Sequence, residues 1–480
     1  FFCILCLFGL YVAVSYAEEQ PQREQSKTKV ILLHTDNLTY DQYRHPGAQI
    51  LTGNVQFQHD GVLMYCDSAC FYEATNSFDA FGHVKMVQGD TLDLVGDMLL
   101  YNGLDQLARV RHNVVLTHRE SKLYTDSLDY DRLYELGYFF EGGKLVDKDN
   151  VLTSDWGQYS PPTRQAVFNY NVKLENPKFT LISDTLNYNT LTSMAEIVGP
   201  SNIDSGDNHI YSESGFYNTQ TEEAILLDRS IVTNKGRKMV GDSLYYDSKS
   251  GVGEGFRNVV YTDEVNKNML TGNYCYYNDS TGYSMATDSA VAIDYSQRDT
   301  MYMHADTFKV YTFYMDTDSM YREVRGYHKV RSYRMDVQSV CDSLVFDSRD
   351  TCITMYRDPI VWNGGQQVLG EVIKVYLNDS TIDRIHVIDQ TLSVDRIDSV
   401  HYNQVAGKEM TSYFRDGEMY ETWVNGNVYV DYYMFDDDSL MIGLNYTETT
   451  ELKLFMKDRK MEKIWMPAST GVIYPIVMIP

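Results

Sequence analysis

The sequence predicts an all-β protein: an elongated, twisted antiparallel β-jellyroll or β-roll, built from two-strand repeats of about 29 residues and with very little helix. Three observations predict it. A short motif recurs at a near-constant interval. Apolar residues alternate with period 2 inside each repeat. Tyr is abundant, at 40 of 480 residues against 10 Pro, and Tyr favours half-buried pleated surfaces.

The motif reads Asp, any residue, an apolar residue, any residue, an aromatic residue. It appears as Asp36-Asn37-Leu38-Thr39-Tyr40, Asp126-Ser127-Leu128-Asp129-Tyr130, Asp184-Thr185-Leu186-Asn187-Tyr188 and Asp242-Ser243-Leu244-Tyr245-Tyr246, with looser copies from Asp67, Asp97, Asp155, Glu213, Asn273 and Asp342. From 36 to 273 the intervals are 31, 30, 29, 29, 29, 29, 29 and 31 residues, too steady for chance. A second motif lies between the copies: Gly53-Asn54-Val55, Gly82-His83-Val84, Asn113-Val114, Asn171-Val172, Asn202-Ile203 and Asn258-Val259. Its later relatives are Lys329-Val330 and Gly426-Asn427-Val428.

Each repeat therefore holds two strands and two turns, which leaves roughly 8–10 residues per strand. In the first strand Leu128 and Tyr130, or Leu186 and Tyr188, share a face. In the second, Ala108, Val110, His112 and Val114 do so, as do Ala166, Phe168, Tyr170 and Val172. Turns fall at Asn102-Gly103, Glu141-Gly142-Gly143, Ser248 to Gly251 and Asn363-Gly364-Gly365. The repeated Asp shares parity with Leu and Tyr and reads as a turn cap that bonds backbone N–H groups. The Tyr reads as closing its strand with an apolar ring and a wet hydroxyl.

In chain order, residues 1–17 (FFCILCLFGLYVAVSYA) form an apolar run ending in Ser15-Tyr16-Ala17, the pattern of a signal peptide whose basic n-region is missing. Residues 18–30 are a polar linker. Residues 31–305 form the first roll. The spacing loosens after Asn278, and a soft boundary at 305/306 opens a second roll region, 306–480. There strand patterns resume at Gln367–Leu377, Ile382–Ile388, Met410–Phe414, Glu418–Val430 and Leu440–Leu444. The apolar close, Gly471 to Pro480, reads as a C-terminal truncation. The signal-peptide pattern predicts export.

Cys66, Cys70, Cys275, Cys341 and Cys352 follow the signal, an odd number without zinc spacing, and read as buried, unpaired thiols; Cys341 and Cys352 are the one pair that a hairpin might bring face to face. With 41 basic against 67 acidic residues the net charge is −26, which argues against nucleic acid as a partner.

The x-Asp-x-Leu-x-Tyr-Asp/Asn copies, such as Thr125 to Asp131 and Gly241 to Asp247, each paired with a Gly-Asn-Val-type strand, resemble the organic-solvent-tolerance (OstA-like, LptA-like) family. Asn403 to Gly407, Met410 to Phe414 and Val424 to Val428 resemble the second half of large members from Bacteroidetes-type bacteria. The resemblance covers most of residues 31–460. It implies a jellyroll open along one side whose apolar interior holds the acyl chains of lipopolysaccharide or lipid A. It also implies a non-enzymatic bridge between inner and outer membranes. The compartment that the resemblance implies is the periplasm of a Gram-negative envelope, or association with its outer membrane. Implied partners are other transport β-rolls joined by edge-strand pairing, an inner-membrane transporter and an outer-membrane translocon, with head-to-tail self-association. No cofactor is implied. Leu38, Tyr40, Leu128, Tyr130, Leu186, Tyr188, Leu244 and Tyr246 are the candidate lipid-lining residues, and the same period-2 pattern equally fits a plain core.

Two other readings stay open: a surface glycan-binding or structural β-solenoid, and a membrane barrel, which charges such as Arg109, Lys173, Glu175 and Glu196 within strand patterns oppose. Gly241-Asp242-Ser243-Leu244 spells a lipase-type signature, with Asp383/His386 and Asp398/His401 downstream. It is one copy of the repeat, and no helix pattern follows it, so no catalytic site is expected. Asp316-Thr317-Asp318 and Asp436-Asp437-Asp438 lack the Gly and distal Glu of a calcium loop and read as solvated turns.

Overall fold

A computed structural model describes residues 28–476 except 297–298, 316, 336, 379–381, 437 and 458–459. The signal peptide, most of the linker, and Asp316 and Asp437 of the acidic triplets lie outside the described residues. The described chain is thirty-six β-strands and a single turn of 3-10 helix, Glu73–Thr75. It divides into two compact units, residues 1–174 with 187–191, and residues 175–186 with 192–480.

In the first unit the chain meanders. Gln49–His59, Val62–Tyr72, Ser77–Gln88, Leu92–Asn102, Leu107–His118 and Ser121–Asp131 each pair antiparallel with the next. Their 11–12 residues exceed the expected 8–10. The reason is that each strand runs through a corner: two residues on one strand oppose one on its neighbour, and the register shifts there. Thr52 pairs with Ser68 and Val55 with Cys66, so Gly53-Asn54 faces Asp67 alone. The same shift sets His112-Asn113 against Asp126.

The corner pair is left-handed. φ is +83° and +48° at Gly53-Asn54, +76° and +42° at Gly82-His83, and +60° and +52° at His112-Asn113. Such bulges bend and twist a strand. The motif Asp of the preceding strand holds each pair in place. Asn54 Nδ2 donates to Asp36 Oδ2 at 2.9 Å, Asn113 to Asp97 at 2.6 Å and Asn171 to Asp155 at 2.6 Å, while His83 Nδ1 stands 2.7 Å from Asp67. The two sequence motifs are thus partners in one corner, and it is this corner that the Asp caps: Asp126 Oδ1 also accepts the Asn113 backbone N–H at 3.4 Å. Its side chain faces outward, because the strand bends between it and the buried residue two positions on. The same bend turns His112 and Tyr170 out of the faces that period 2 assigns them; Tyr170 is 66% exposed while Phe168 and Val172 are buried.

The second unit repeats the plan. Asn258 donates to Asp242 at 2.8 Å, and Arg257-Asn258, Asp288-Ser289 and Gly426-Asn427 are left-handed pairs at register shifts. Strands continue through Ile382–Arg396, Tyr402–Arg415, Glu418–Phe435 and Met441–Lys457. Position 305/306 falls inside Met301–Phe313, which is paired on both edges. The cysteines after the signal are all free, and burial pushes the Cys66 and Cys341 thiols up to about 12. Cys352 stands opposite Asp347 rather than Cys341.

A Cβ built on Gly82 would stand 2.4 Å from Asp67 Oδ2, whereas one on Gly89, also left-handed, meets nothing within 4 Å. Gly89→Ala should cost about 1 kcal/mol from its positive φ alone, and Gly82→Ala about 1 kcal/mol more from displacing the Asp67 carboxylate. Urea midpoints of the two variants check this; equal shifts would show that the corner contact carries no stability.

Candidate functional site

The hairpin turns alternate along the meander and fall in two rows. In the first unit, polar side chains tie one row to the other. His59 Nδ1 lies 2.6 Å from the Tyr101 hydroxyl, and Arg132 donates from Nη2 to the His59 carbonyl at 3.1 Å. Gln106 donates to Asp60 at 3.0 Å and Gln88 to Glu135 at 2.6 Å. His118 Nδ1 lies 2.8 Å from the Tyr159 hydroxyl. The Tyr188 hydroxyl donates to Asp147 at 2.8 Å and accepts from Asn150 at 2.9 Å. The hydroxyls of Tyr101, Tyr159 and Tyr188 are therefore buried and bonded rather than wet. Tyr130 differs: its hydroxyl, Gln88 Oε1 and Arg132 Nε are buried without a hydrogen-bond partner among the described residues.

Behind this polar seam the interior is packed. Phe57 stacks on Phe78 at 4.1 Å between centroids, and Phe78 tilts against Tyr101 at 5.2 Å. Phe139, Tyr159, Phe168 and Tyr188 are fully buried in line with them. Each such ring contributes roughly 1.5–3 kcal/mol by leaving water.

In the second unit the inner face changes. Beside the corner, Val259, Ala286, Ala290, Ala305, Phe308, Val330 and Leu344 are buried. Toward the strand ends the inward residues Leu270, Ala292, Met303, Val324, Val337 and Phe346 pack on that core but are only half-buried. Counted from the corner, these positions match Phe57, Met64, Phe78, Leu92 and Tyr101, which the first unit buries; here they stay half-buried, so the inner face is lined and not filled. Hydrogen bonds at these turns run along each row: Ser280 Oγ donates to the Ser250 carbonyl at 3.2 Å, and Thr351 Oγ1 to the Leu377 carbonyl at 2.6 Å. The result is a half-buried apolar row along the inner wall.

Comparison with known families gives one match. Residues 27–184 and 179–242 match the model of the family described as OstA-like protein. Over this stretch the chain is a member of the OstA-like family. No curated protein matches it. OstA-like proteins belong to lipid-transport-related β-roll systems, are generally non-enzymatic, and act in the periplasm. No helix among the described residues is long and apolar enough to cross a membrane.

The candidate lining residues of this OstA-like chain divide three ways. Leu128, Tyr130, Leu186 and Tyr188 are all 0% exposed within packed interior. Leu244 is buried and Tyr246 half-buried, stacked 6.4 Å from Tyr277 at the start of the open region. Leu38 and Tyr40 are 53% and 58% exposed on Asn37–Tyr40, which pairs only with Gln49–His59 among the described residues. Tyr40 borders an open recess of about 840 Å³ with Thr28, Gln49 and Leu104.

Sequence reading missed the seam. Its signal was present: positions 59, 88, 118, 147, 176, 205, 234 and 263 hold His, Gln, His, Asp, Asn, Ser, Asn and Asp at intervals of 29 or 30. A polar residue at the inward end of a strand hides there because the same types fill turns. The lipase-type tetrad is structural: Ser243 begins a strand, Ser243–Asp247, and Asp242 bonds Asn258 and Arg229. Asp398 and His401 bond each other at 2.7 Å within one turn.

Burial lowers the pKa of both His59 and His118. The unfolded chain then takes up protons that the folded seam excludes, so stability should be fully present above roughly pH 6.5 and fall as acid approaches the depressed folded values. Thermal unfolding from pH 7.5 to 5 checks this against the double variant His59→Gln/His118→Gln, whose curve should be flatter. Identical pH dependence in both proteins would remove the histidines from the seam's energetics.

Proposed function

We propose that this OstA-like chain is a non-enzymatic carrier of lipopolysaccharide in the periplasm, holding the acyl chains along the half-buried row of its second unit. The observation that carries this reading is the opening of the inner face toward the strand ends: Met303, Val324, Val337 and Phe346 are half-buried where the first unit buries Met64, Phe78, Leu92 and Tyr101. Each acyl CH₂ seated there would contribute about 0.8 kcal/mol. Leu244 and Tyr246 stand at the near end of the row. Leu128, Tyr130, Leu186 and Tyr188 would meet lipid only if the polar seam parted. With a net charge of −26 the chain offers an anionic headgroup little overall attraction, so the acyl chains supply the affinity.

The partners in this reading are other β-rolls, an inner-membrane transporter and an outer-membrane translocon, the chain forming part of a bridge between the membranes. One edge ladder supports it. Asn37–Tyr40 pairs on one side only among the described residues, and Leu38 and Tyr40 are exposed there. Edges of this kind accept a further strand.

Photocrosslinkers at positions 303, 324 and 346 should capture lipopolysaccharide in cells, and one at 128 should capture little. Met303→Asp should cut the lipid that co-purifies by about tenfold or more, since it sets a carboxylate in the acyl path. Equal capture at 128 and 303, or none at 303, 324 and 346, would sink the assignment.

A further inference from the structure

We propose that the outer face of the strand Tyr321–Tyr333 binds an anionic saccharide, one bearing phosphate or carboxylate groups. The inference is independent of the lipid reading, which uses the opposite face of the same strand. Residues 321–334 (YREVRGYHKVRSYR) hold five Arg or Lys and one Glu, in a chain whose net charge is −26. The cations are not spread out. Lys309 lies directly opposite Arg325, in register on the neighbouring strand. Two cations directly opposite on a sheet repel, a cost that an anion lying across them would remove.

Carboxylates meet only part of this charge. Glu323 pairs with Arg325, and Asp342 with His328 at 3.3 Å and Arg357 at 3.2 Å. Lys329 and Arg331 are exposed and have no carboxylate partner among the described residues. Aromatic rings flank the same cations. Tyr302 and Tyr333 are cross-strand neighbours, 46% and 54% exposed. Arg325 lies over the Tyr311 ring at 4.9 Å, and Lys309 Nζ is 5.8 Å from the centre of the Tyr327 ring.

Exposed rings beside uncompensated cations match a ligand with both apolar ring faces and negative groups. A sugar ring presents C–H groups that stack on Tyr, and its hydroxyls and anionic substituents accept from Arg and Lys. A bare phosphate would leave the Tyr302–Tyr333 pair without a role. A nucleic acid would meet the repulsion of the remaining chain.

The test is a calorimetric titration of the full chain with phosphorylated dextran oligomers. Neutral dextran of the same length, inorganic phosphate and phosphatidylglycerol vesicles run beside it. Phosphorylated dextran should bind at least about tenfold more tightly than either neutral dextran or inorganic phosphate, and less tightly as salt rises. Lys329→Gln/Arg331→Gln, and separately Tyr302→Ala/Tyr333→Ala, should each weaken it by about tenfold while leaving the thermal transition in place. Undiminished binding by both variants, inorganic phosphate binding as tightly as the phosphorylated oligomer, or preference for the vesicles would each overturn the proposal. Loss of lipid capture at 303 with saccharide binding intact would count against the groove alone.

Discussion

Two successive left-handed residues in mid-strand, gripped by an aspartate on the strand before, set the shape of everything else here. A regular strand cannot line two walls. Each wall needs inward side chains, and a bend must lie between them. The pair at Gly53-Asn54, His112-Asn113 or Arg257-Asn258 supplies that bend, and Asp36, Asp97 or Asp242 accepts a hydrogen bond from the side-chain amide of its Asn. Positive φ costs of order 1 kcal/mol at each residue other than glycine. The hydrogen bond to a charged acceptor offsets that cost. The acidic residues at the corners also place part of the negative charge on the outside, away from the apolar interior.

With the corner fixed, the interior is decided by side-chain size. Phe57, Phe78, Tyr101, Tyr159, Phe168 and Tyr188 fill the first unit, and the tyrosine hydroxyls reach a polar row that joins the two sets of turns. In the second unit Ala292, Met303, Val324 and Val337 leave the inner face lined but unfilled toward the strand ends. One backbone plan therefore serves a packed interior and an open apolar wall, and the difference lies in a few inward positions per repeat.

Much of this was legible in the sequence. The near-constant interval from Asp36 to Asn273 gave the strand meander, because every repeat must bury its face on the next. The pairing of the Asp motif with the Gly-Asn-Val motif was visible as alternation but not as contact. Parity put Asp126 with Leu128 and Tyr130, and His112 with Val110. The second fails because the positive φ angles of His112 and Asn113 reset the side-chain direction, and the first because Asp126 lies on the neighbouring strand opposite that pair, where its own strand bends; hydrophobic alternation carries no sign of φ. The candidate lining residues were read from the strongest motif copies. Those copies are strongest where Leu128, Tyr130, Leu186 and Tyr188 pack a closed core. The open row lies where the motif weakens, at Asn273 and after, where Cys275 and Tyr277 or Phe308 and Val310 take the places of Leu and Tyr.

The central claim is that acyl chains occupy the inner wall of the second unit. A nitroxide at position 303, inward on Met301–Phe313, reports on it directly when compared with one at position 238, exposed on Arg237–Val240 of the same unit. On adding lipopolysaccharide the label at 303 should lose mobility and become shielded from a water-soluble relaxant, while the label at 238 stays unchanged. An unchanged spectrum at 303, or equal changes at both positions, would contradict the account.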